Sequence, residues 1–384
     1  MTYLDCASTT PLDPRVRDEV MRFLSVDFGN SGSRSHDYGV RARRAVEHAR
    51  NQIAAVVSAG RGDVVFTSGA TESNNLAILG LAEHGRAAGR THLVSTLIEH
   101  PAVLEPLRWM GEHGFTLTLV PPNSDGRVDH EAIRDAMRDD TLLVSVMQAN
   151  NETGVLQPIE EIANSLAGHS AYFHVDAAQA FGRDLPPLRH PRVDLVSISG
   201  HKIHAPKGVG ALVTRRKNGR RPPLSPLMHG GGQERGLRPG TLPVHLVAGL
   251  GLAAELAAGE AAERARTCLA FRGRLLAALH PLHPTLNGDQ AHVLPHIINL
   301  SFPRLDSEDV MAALAESVAI SNGSACSSQS LTCSHVLGAM GLDAGVMEGA
   351  LRWSWCHMTE EPDWKCIVDI FQTLTRDRVT AYRL

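Results

Sequence analysis

Lysine is scarce in this sequence, and several features that would point to particular classes of protein are missing. Among 384 residues only four are lysines, and arginine carries nearly all the other positive charge. No uninterrupted apolar stretch is long enough to span a membrane, and the opening MTYLDCASTT lacks the apolar core of a secretion signal. The formal net charge is -4, which gives no phosphate-neutralising surface for direct nucleic-acid binding. We therefore predict a cytoplasmic protein with neither a membrane nor a nucleic acid as its direct partner.

The six cysteines are scattered, without CxxC pairs or zinc-ligand spacing. In a chain of this size the pattern predicts neither a disulfide framework nor a metal site. A free cysteine is most often a small buried apolar residue. Cys326 differs because its flanks, SNGSA and SSQSLT, contain no apolar run to bury it, so a polar Gly/Ser loop is predicted to present its thiol.

Short apolar runs alternate with helical patterns from residue 63 onward, for example DVVFTSG before TESNNLAILGLAEHG. Runs of four to seven residues rich in Val and Leu, separated by amphipathic segments, are typical of buried parallel strands with crossover helices. The predicted fold class is therefore α/β, with a large doubly wound, mostly parallel sheet domain at 13–250. A smaller α+β domain is predicted from residues 1–12 and 251–384, because an Ala/Leu/Glu/Arg-rich helical stretch begins near residue 250.

Polar residues follow several predicted strands, at the sheet edge where α/β domains bind their ligands. After DVVF, the segment TSGATESNN offers backbone N–H groups and the hydroxyls of Ser68 and Thr71 at a helix start, which suits a phosphate or is only a helix cap. After YFHV comes Asp176, with Gln179 three residues further on. A carboxylate there either pairs with a pyridinium nitrogen or only joins a polar network.

Lys202 lies between two histidines in SGHKIHAPKG, directly after Ser199 and the strand VDLVSIS. Most lysines are solvated surface groups. A lysine that holds a carbonyl cofactor must lose its proton, however, and a cationic or weakly solvated surrounding lowers its pKa. His201 and His204 fit that need. A phosphate cradle, an acid for a ring nitrogen and this lysine at one sheet edge together predict a pyridoxal phosphate site.

Eight motifs, in order, carry a resemblance to a known family: YLDCASTTP, FTSGATESNN, IEHPAV, NNETG, HVDAAQ, SGHKIHAPKGVG, GGGQERGLRPGTLPV and NGSACSSQS. They span nearly the whole chain, and together they resemble the cysteine desulfurases of the NifS/IscS type. The resemblance implies fold type I of the pyridoxal phosphate enzymes, which is the fold of the aspartate aminotransferase superfamily. It also implies pyridoxal 5'-phosphate as cofactor, L-cysteine as substrate, and a homodimer.

The resemblance assigns a role to each matching residue. Lys202 would hold the cofactor covalently, His100 would stack on its ring, and Asp176 would pair with the ring nitrogen. Gln179 would bond the phenolic oxygen, with Asn151 beside it. The remaining residues would hold the phosphate (Ala70, Thr71, Ser199 and His201, with Thr241 reaching it across the dimer) and the substrate carboxylate (Arg352). Taken singly, His100 is equally a structural histidine and Arg352 a surface ion pair, so the interpretation depends on the whole set.

Cys326 matches the nucleophile of the family. In the implied reaction Lys202 removes the Cα proton of bound L-cysteine, the thiolate of Cys326 attacks the substrate sulfur and becomes a persulfide, and alanine is released. The sulfur then passes to an acceptor protein. Cys333 is interpreted as a thiol without a role in the reaction. The alternative is that it is a second carrier of the sulfur.

Three places depart from the common pattern of the family: Cys6 and Ser8 replace Asn and Ala, Ser31 lies in NSGS where NPSS is usual, and Cys356 and His357 replace Gly and Arg. GNSGSR together with RWSWCHMT resembles the DndA-like branch, which supplies sulfur for phosphorothioate modification of the DNA backbone. The alternatives are a housekeeping sulfur donor for iron–sulfur clusters or tRNA thiolation, a selenocysteine lyase or aminotransferase on the same fold, and a non-enzymatic sulfur-relay protein.

Overall fold

A computed structural model describes residues 1–217, 219–302, 304–322 and 334–381. Within these residues the α-helices are α1 Pro14–Ser25, α2 Asp37–Val56, α3 Ala70–Leu79, α4 Ala82–Ala87, α5 Pro101–Glu112, α6 His130–Asp135, α7 Ile159–Ser165, α8 Val244–Gly259, α9 Ala261–Leu279, α10 Ser307–Leu314, α11 His335–Ala339, α12 Ala344–Glu348 and α13 Trp364–Ala381. The strands are β1 Thr2–Tyr3, β2 Val64–Thr67, β3 His92–Thr96, β4 Thr116–Val120, β5 Thr141–Met147, β6 Tyr172–Asp176, β7 Leu195–Ser199, β8 Gly210–Thr214, β9 Thr285–Asn287, β10 Ile297–Ser301, β11 Val318–Ala319 and β12 Ala350–Ser354.

The largest sheet in the described chain has seven strands in the order β2-β8-β7-β6-β5-β3-β4. Strand β8 runs antiparallel to both of its neighbours, and the other pairings are parallel. Strands β5 and β7 are buried at every position, as expected for apolar runs in a sheet that is covered by helices on both faces. The predicted α/β fold with a mostly parallel sheet is therefore confirmed.

Local signals begin the helices that flank the sheet. Asp13 caps α1 by accepting a hydrogen bond from the backbone N–H of Arg15, and Pro14 occupies the first helical position. His100 caps α5 in the same way, with its Nδ1 accepting from the N–H of Ala102. This second cap places the His100 ring at the end of the connection that follows β3.

The two largest apolar cores of the described chain belong to different sheets. One joins the large sheet to its helices and includes Phe173 and Val196. The other surrounds Trp353 and Phe371, next to an antiparallel sheet of order β12-β10-β9, and it includes Leu4 from the N-terminal segment. Helix α8 spans residue 250, and its buried residues as far as 257 belong to the first core. The division into domains at residue 250 stays a prediction.

The α8 and α9 region is the most apolar helical part of the chain. No single described helix is long and apolar enough to cross a membrane. The helices in Val244–Gly259 and Ala261–Leu282 together reach the required length and apolar composition, but the pair is bent by 71°.

Candidate active site

A cavity of about 630 Å³ opens at the carboxyl ends of the central strands. Strands β2, β5, β6 and β7 all end against it, as expected for the ligand-binding edge of a doubly wound sheet. Ten of the twelve predicted site residues line this one cavity: Ala70, Thr71, His100, Asn151, Asp176, Gln179, Ser199, His201, Lys202 and Arg352. The structure thus brings together residues that the sequence separates by nearly the whole chain.

The start of α3 forms one end of the cavity and suits an anion. The N-cap residue is Gly69, and no side chain caps the first turn, so its backbone N–H groups are left for a ligand. Gly210 on the neighbouring strand allows the close approach of this turn, because a Cβ there would lie 2.6 Å from the Cα of Gly69. The hydroxyl-bearing Ser199 and the ring of His201 line the same end. These groups fit a phosphate.

Asp176 is 5% exposed at the end of β6 and is held by two hydrogen bonds. Its Oδ2 accepts from Nδ2 of Asn74 at 2.7 Å, and its Oδ1 accepts from the backbone N–H of Ala178 at 2.9 Å. Sequence analysis missed Asn74, which lies on α3 and is completely buried. The signal was present in TSGATESNN, where a polar pair follows the phosphate turn by one helical turn.

The N-terminal segment contributes Ala7 and Ser8 to the wall of the cavity. Nζ of Lys202 donates to the carbonyl oxygen of Ala7 and, at 2.8 Å, to that of Ser8. Nε2 of Gln179 donates to the same Ala7 oxygen at 2.9 Å. The main chain of Cys6 and Ala7 is in turn bonded to Ser354, at the end of β12. Lys202 and Gln179 are therefore both positioned by a segment that is far from them in sequence.

The two histidines beside Lys202 carry no positive charge, which corrects the cationic role suggested for them by the sequence. Burial lowers the pKa of His201 to about 4, with help from the charges of Lys202 and Lys207. Burial likewise lowers the pKa of His204 to about 3. Both rings are therefore neutral near pH 7. His204 also turns away from the cavity, where its Nδ1 donates to the carbonyl oxygen of Pro11 at 3.0 Å.

His100 presents a neutral ring to the cavity. Burial lowers its pKa, which the charge of Asp176 partly offsets. Because Nδ1 accepts a hydrogen bond from Ala102, the ring proton resides on Nε2. A neutral, oriented imidazole is suited to stacking on a flat ring and to passing a proton.

Arg352 is 2% exposed on β12 and carries several hydrogen bonds. Nη2 donates to Oδ1 of Asp5 at 2.8 Å and to Oγ of Ser8 at 2.7 Å. Nη1 donates to the carbonyl oxygen of Asn151 at 2.9 Å, and the buried Nε has no partner within the described residues. The interpretation as a surface ion pair is wrong, because the guanidinium is buried in the wall of the cavity. Ser8, one of the departures from the family pattern, contributes directly to this wall.

The polar wall of the cavity is incomplete without a bound molecule. Two of its buried acceptor atoms, Oδ1 of Asn74 and Oε1 of Gln179, have no hydrogen-bond partner in the described part of the chain. Buried polar atoms normally have one. The phosphate-binding turn, the carboxylate of Asp176 and Lys202 match the phosphate, the ring nitrogen and the carbonyl carbon of pyridoxal phosphate. The residues present therefore fit this cofactor.

The remaining two predicted site residues are Thr241 and Cys326. Thr241 is exposed and does not line the cavity of its own chain. Cys326 lies outside the described residues, as does Cys333. Their roles stay predictions.

The match to known proteins agrees with this geometry. The family model of the class V aminotransferases matches residues 2–364. The chain belongs to this family. It is 44% identical over 382 residues to a cysteine desulfurase IscS of Methylococcus capsulatus, which is 99% of this chain and 93% of that protein.

Two solved structures extend the comparison within the family. DndA from Streptomyces lividans is 49% identical with a TM-score of 0.80, covering 92% of this chain and 99% of that one. SspA in complex with cysteine is 35% identical with a TM-score of 0.81, covering 92% and 98%. These similarities confirm the predicted NifS/IscS-type cysteine desulfurase, its fold and its dependence on pyridoxal phosphate.

Glu99 is a second buried group that sequence analysis missed, directly before His100. Its Oε1 accepts hydrogen bonds from Oγ1 of Thr96 at 2.7 Å and from the backbone N–H of Met147 at 2.9 Å. The carboxyl group is completely buried, and burial raises its pKa to about 8. It is therefore protonated at neutral pH, and no positive charge is needed to neutralise it.

Because the pKa of Glu99 is higher in the folded chain than in the unfolded one, its contribution to stability should be lost as the pH rises from about 4.5 to about 8. We expect Glu99→Gln to unfold with a weaker pH dependence than the parent over this range, by up to about 1.4 kcal/mol per pH unit. Urea unfolding of both proteins at about pH 5 and about pH 8 measures the difference. Glu105→Gln, at an exposed position of α5, is the control. Equal pH dependence of the parent and Glu99→Gln would contradict the prediction.

Proposed function

We propose that this enzyme removes the sulfur of L-cysteine, carries it on Cys326 and delivers it to an acceptor protein. The observation that supports these roles most is the single cavity that joins Lys202, Asp176, His100 and Arg352. A lysine base, a buried carboxylate and a buried arginine at one sheet edge are the groups that α-amino acid chemistry requires.

Arg352 would bind the carboxylate of the substrate. Its planar guanidinium accommodates a carboxylate in a bidentate manner, which a lysine cannot do. Its buried Nε has no hydrogen-bond partner within the described residues, so this donor is left for a ligand. A substrate carboxylate would compete with Asp5 for the guanidinium, and Asp5 is more accessible to solvent than Arg352. The carbonyl oxygen of Asn151 accepts a hydrogen bond from Nη1 and so helps to position the guanidinium.

The remaining cavity residues hold the cofactor and move protons. Pyridoxal phosphate, when bound, withdraws electrons from the Cα of the amino acid. Asp176 would keep a proton on the ring nitrogen, and Asn74 fixes the orientation of its carboxylate. Lys202 would remove the proton from Cα. His100 would hold the ring in place by stacking.

Cys326 would then take the sulfur. Its thiolate attacks the substrate sulfur, an S–S bond forms as the C–S bond breaks, and the electron pair of the C–S bond stays with the three-carbon fragment. That fragment gains a proton and leaves as alanine. Cysteine and the enzyme thiol together thus become alanine and the enzyme persulfide, with no external oxidant.

Alanine production without an amino-group acceptor tests the proposed reaction. We expect the purified enzyme to convert L-cysteine to alanine and protein-bound sulfur in the absence of any 2-oxo acid. An aminotransferase would need the 2-oxo acid and would yield a keto acid. A selenocysteine lyase would release selenium from L-selenocysteine while leaving L-cysteine nearly untouched. Either of these outcomes would contradict the desulfurase assignment.

We place the acceptor in the phosphorothioation pathway, with a housekeeping iron–sulfur or tRNA thiolation pathway as the second candidate. The proposal is supported by the resemblance of GNSGSR and RWSWCHMT to the DndA-like branch and by the 49% identity with DndA. Direct binding of DNA is not part of the proposal, because the net charge is -4. The cytoplasmic location stays a prediction.

The active form is proposed to be a homodimer. Thr241 is exposed and lies outside its own cavity, which suits a residue that completes the phosphate site of a second subunit. Exposed apolar side chains support an interface as well: Phe28 is 65% exposed and packs on Tyr38 with ring centroids 5.2 Å apart.

Thr241→Ala should weaken cofactor binding without changing the dimer, by about tenfold for one lost hydrogen bond to a charged phosphate. Cofactor titration and sedimentation measure the two quantities. A monomer that keeps full activity on dilution would contradict the shared site.

A further inference from the structure

A second, smaller cavity is lined by residues that the proposed reaction does not use. Its volume is about 50 Å³, enough for an ion and a water molecule but not for an amino acid. Its wall includes Cys356 and His357, which are two of the departures from the family pattern. His204, which turns away from the cofactor cavity, lines it as well.

These three side chains lie close enough together to become ligands of one metal ion. The candidate ligand atoms of His204, Cys356 and His357 all lie within 4.8 Å of one another. Around a tetrahedral Zn²⁺ ion, with bonds of roughly 2.0–2.3 Å, such atoms lie roughly 3.3–3.6 Å apart, so small side-chain rotations suffice. No other group of three such residues meets this distance criterion within the described chain.

The second coordination layer is also present. Nδ1 of His204 donates to the carbonyl oxygen of Pro11 at 3.0 Å, which leaves Nε2 for a metal. The rings of His204 and His357 meet edge to face with centroids 4.9 Å apart, so their nitrogens converge without stacking. His204 and Cys356 are 3% and 6% exposed, and water competes little at such a site.

An unpartnered nitrogen provides an independent indication of a ligand. His296 is 2% exposed and lines the same cavity, and its Nε2 has no hydrogen-bond partner in the described chain. A buried imidazole nitrogen without a partner is uncommon. A metal-bound water in the cavity would supply that partner.

Two arginines line the cavity, and only Arg264 is paired with carboxylates within the described residues. Arg264 pairs with Oε2 of Glu260 at 2.8 Å and lies 3.6 Å from Oδ2 of Asp13. Arg183 donates to the carbonyl oxygens of Gln179 and Lys202. The thiolate of Cys356 places a negative charge among the three ligands, and this charge favours a cation there.

We propose that Cys356, His204 and His357 bind one Zn²⁺ ion, with a water molecule that His296 contacts in the fourth position. One nitrogen–metal bond forms to each histidine and one sulfur–metal bond to Cys356, whose proton is released to solvent. The ion ties the chain two residues beyond Lys202 to the chain two residues beyond β12, which carries Arg352. This site takes no part in the proposed desulfuration.

Cobalt titration tests the proposal, because thiolate-bound tetrahedral Co²⁺ absorbs strongly. The reduced holoenzyme is stripped with a chelator, Co²⁺ is added alone, and difference spectra are recorded; Zn²⁺ is then added to displace it. We expect one Co²⁺ per chain with a sulfur-to-cobalt band, displaced by one equivalent of Zn²⁺. Cys356→Ser should abolish the band, and His357→Gln should raise the Kd for Zn²⁺ by about tenfold or more.

Matched variants separate this site from other thiols. Cys326→Ser removes the proposed sulfur carrier, and Cys366→Ser removes a partly exposed cysteine elsewhere. Both should retain the band. Loss of the band in Cys326→Ser, its survival in Cys356→Ser, or its absence from the parent would overturn the proposal. Retention of the cofactor absorption shows that a variant is folded. If Cys356→Ser does not fold, the Kd of His357→Gln for Zn²⁺ tests the site instead, because His357 is only half buried and its replacement should be tolerated. An unchanged Kd would then refute the site.

Discussion

A Cys326→Ser enzyme is expected to release alanine from L-cysteine at least about a hundredfold more slowly than the parent. The serine hydroxyl is far less acidic than the cysteine thiol and is a poor nucleophile toward sulfur. The cofactor contacts come from the cavity residues, none of which is changed. The variant should therefore keep its visible cofactor absorption and bind L-cysteine, while mass spectrometry after alkylation finds no persulfide on the protein.

Cys333→Ser is the matched control, since this thiol follows seven residues later in the same sequence segment. It should leave alanine release largely intact. If Cys333→Ser stops the reaction and Cys326→Ser does not, the nucleophile has been assigned to the wrong cysteine. If both variants desulfurate at the parent rate, the desulfuration mechanism proposed for this cavity is wrong.

Lys202→Ala should lower the rate of desulfuration by about 10²- to 10⁴-fold, the usual contribution of a positioned proton-transfer group. It should also remove the covalent link to the cofactor, because no other lysine occupies the end of β7. Borohydride reduction followed by peptide mapping measures this link directly. In the parent protein we expect the cofactor to be fixed on Lys202.

Lys207 is the matched control for this experiment, because it lines the same cavity and also carries an amine. Lys207→Ala should still be labelled at Lys202, and Lys202→Ala should not be labelled at all. Label on Lys207 or Lys217 in the parent would show that the cofactor lysine is misassigned. Titration of both variants with free cofactor, followed by the quenching of tryptophan fluorescence, measures whether the cavity still binds it.

The strands and their final residues were accessible to sequence reasoning because each is a local pattern. A short run such as LLVSVMQ, rich in Val and Leu, indicates a buried strand, and all of it except the final Gln148 lies in β5. Asp176 and Ser199 end strands, and parallel strands place their carboxyl ends at one edge. The apolar run VGALVT indicates a strand and contains β8, but the antiparallel direction of β8 depends on its pairing with β2 and β7 and has no local signal.

Contacts between distant segments were not accessible in the same way. Nothing in YLDCASTTP indicates that Ala7 and Ser8 present carbonyl oxygens to Lys202, because the two segments meet only when the N-terminal residues pack against β12. The charge of the histidines beside Lys202 was equally hidden, since burial determines it and burial is a property of the folded chain.

By itself the sequence determined the fold class, the cofactor, the type of reaction and the identity of most cavity residues, because these depend on strand patterns and on motifs of adjacent residues. Only the tertiary structure decided which groups face one another across the sheet edge, that Asn74 orients Asp176, and that His204 belongs to a different cavity from Lys202. It also brought His204 to Cys356 and His357, about 150 residues away, where the cysteine spacing alone had predicted no metal site. The physical reason is that local patterns are set by steric and apolar preferences along the chain, whereas hydrogen bonds, burial and metal ligation depend on distances that exist only after folding.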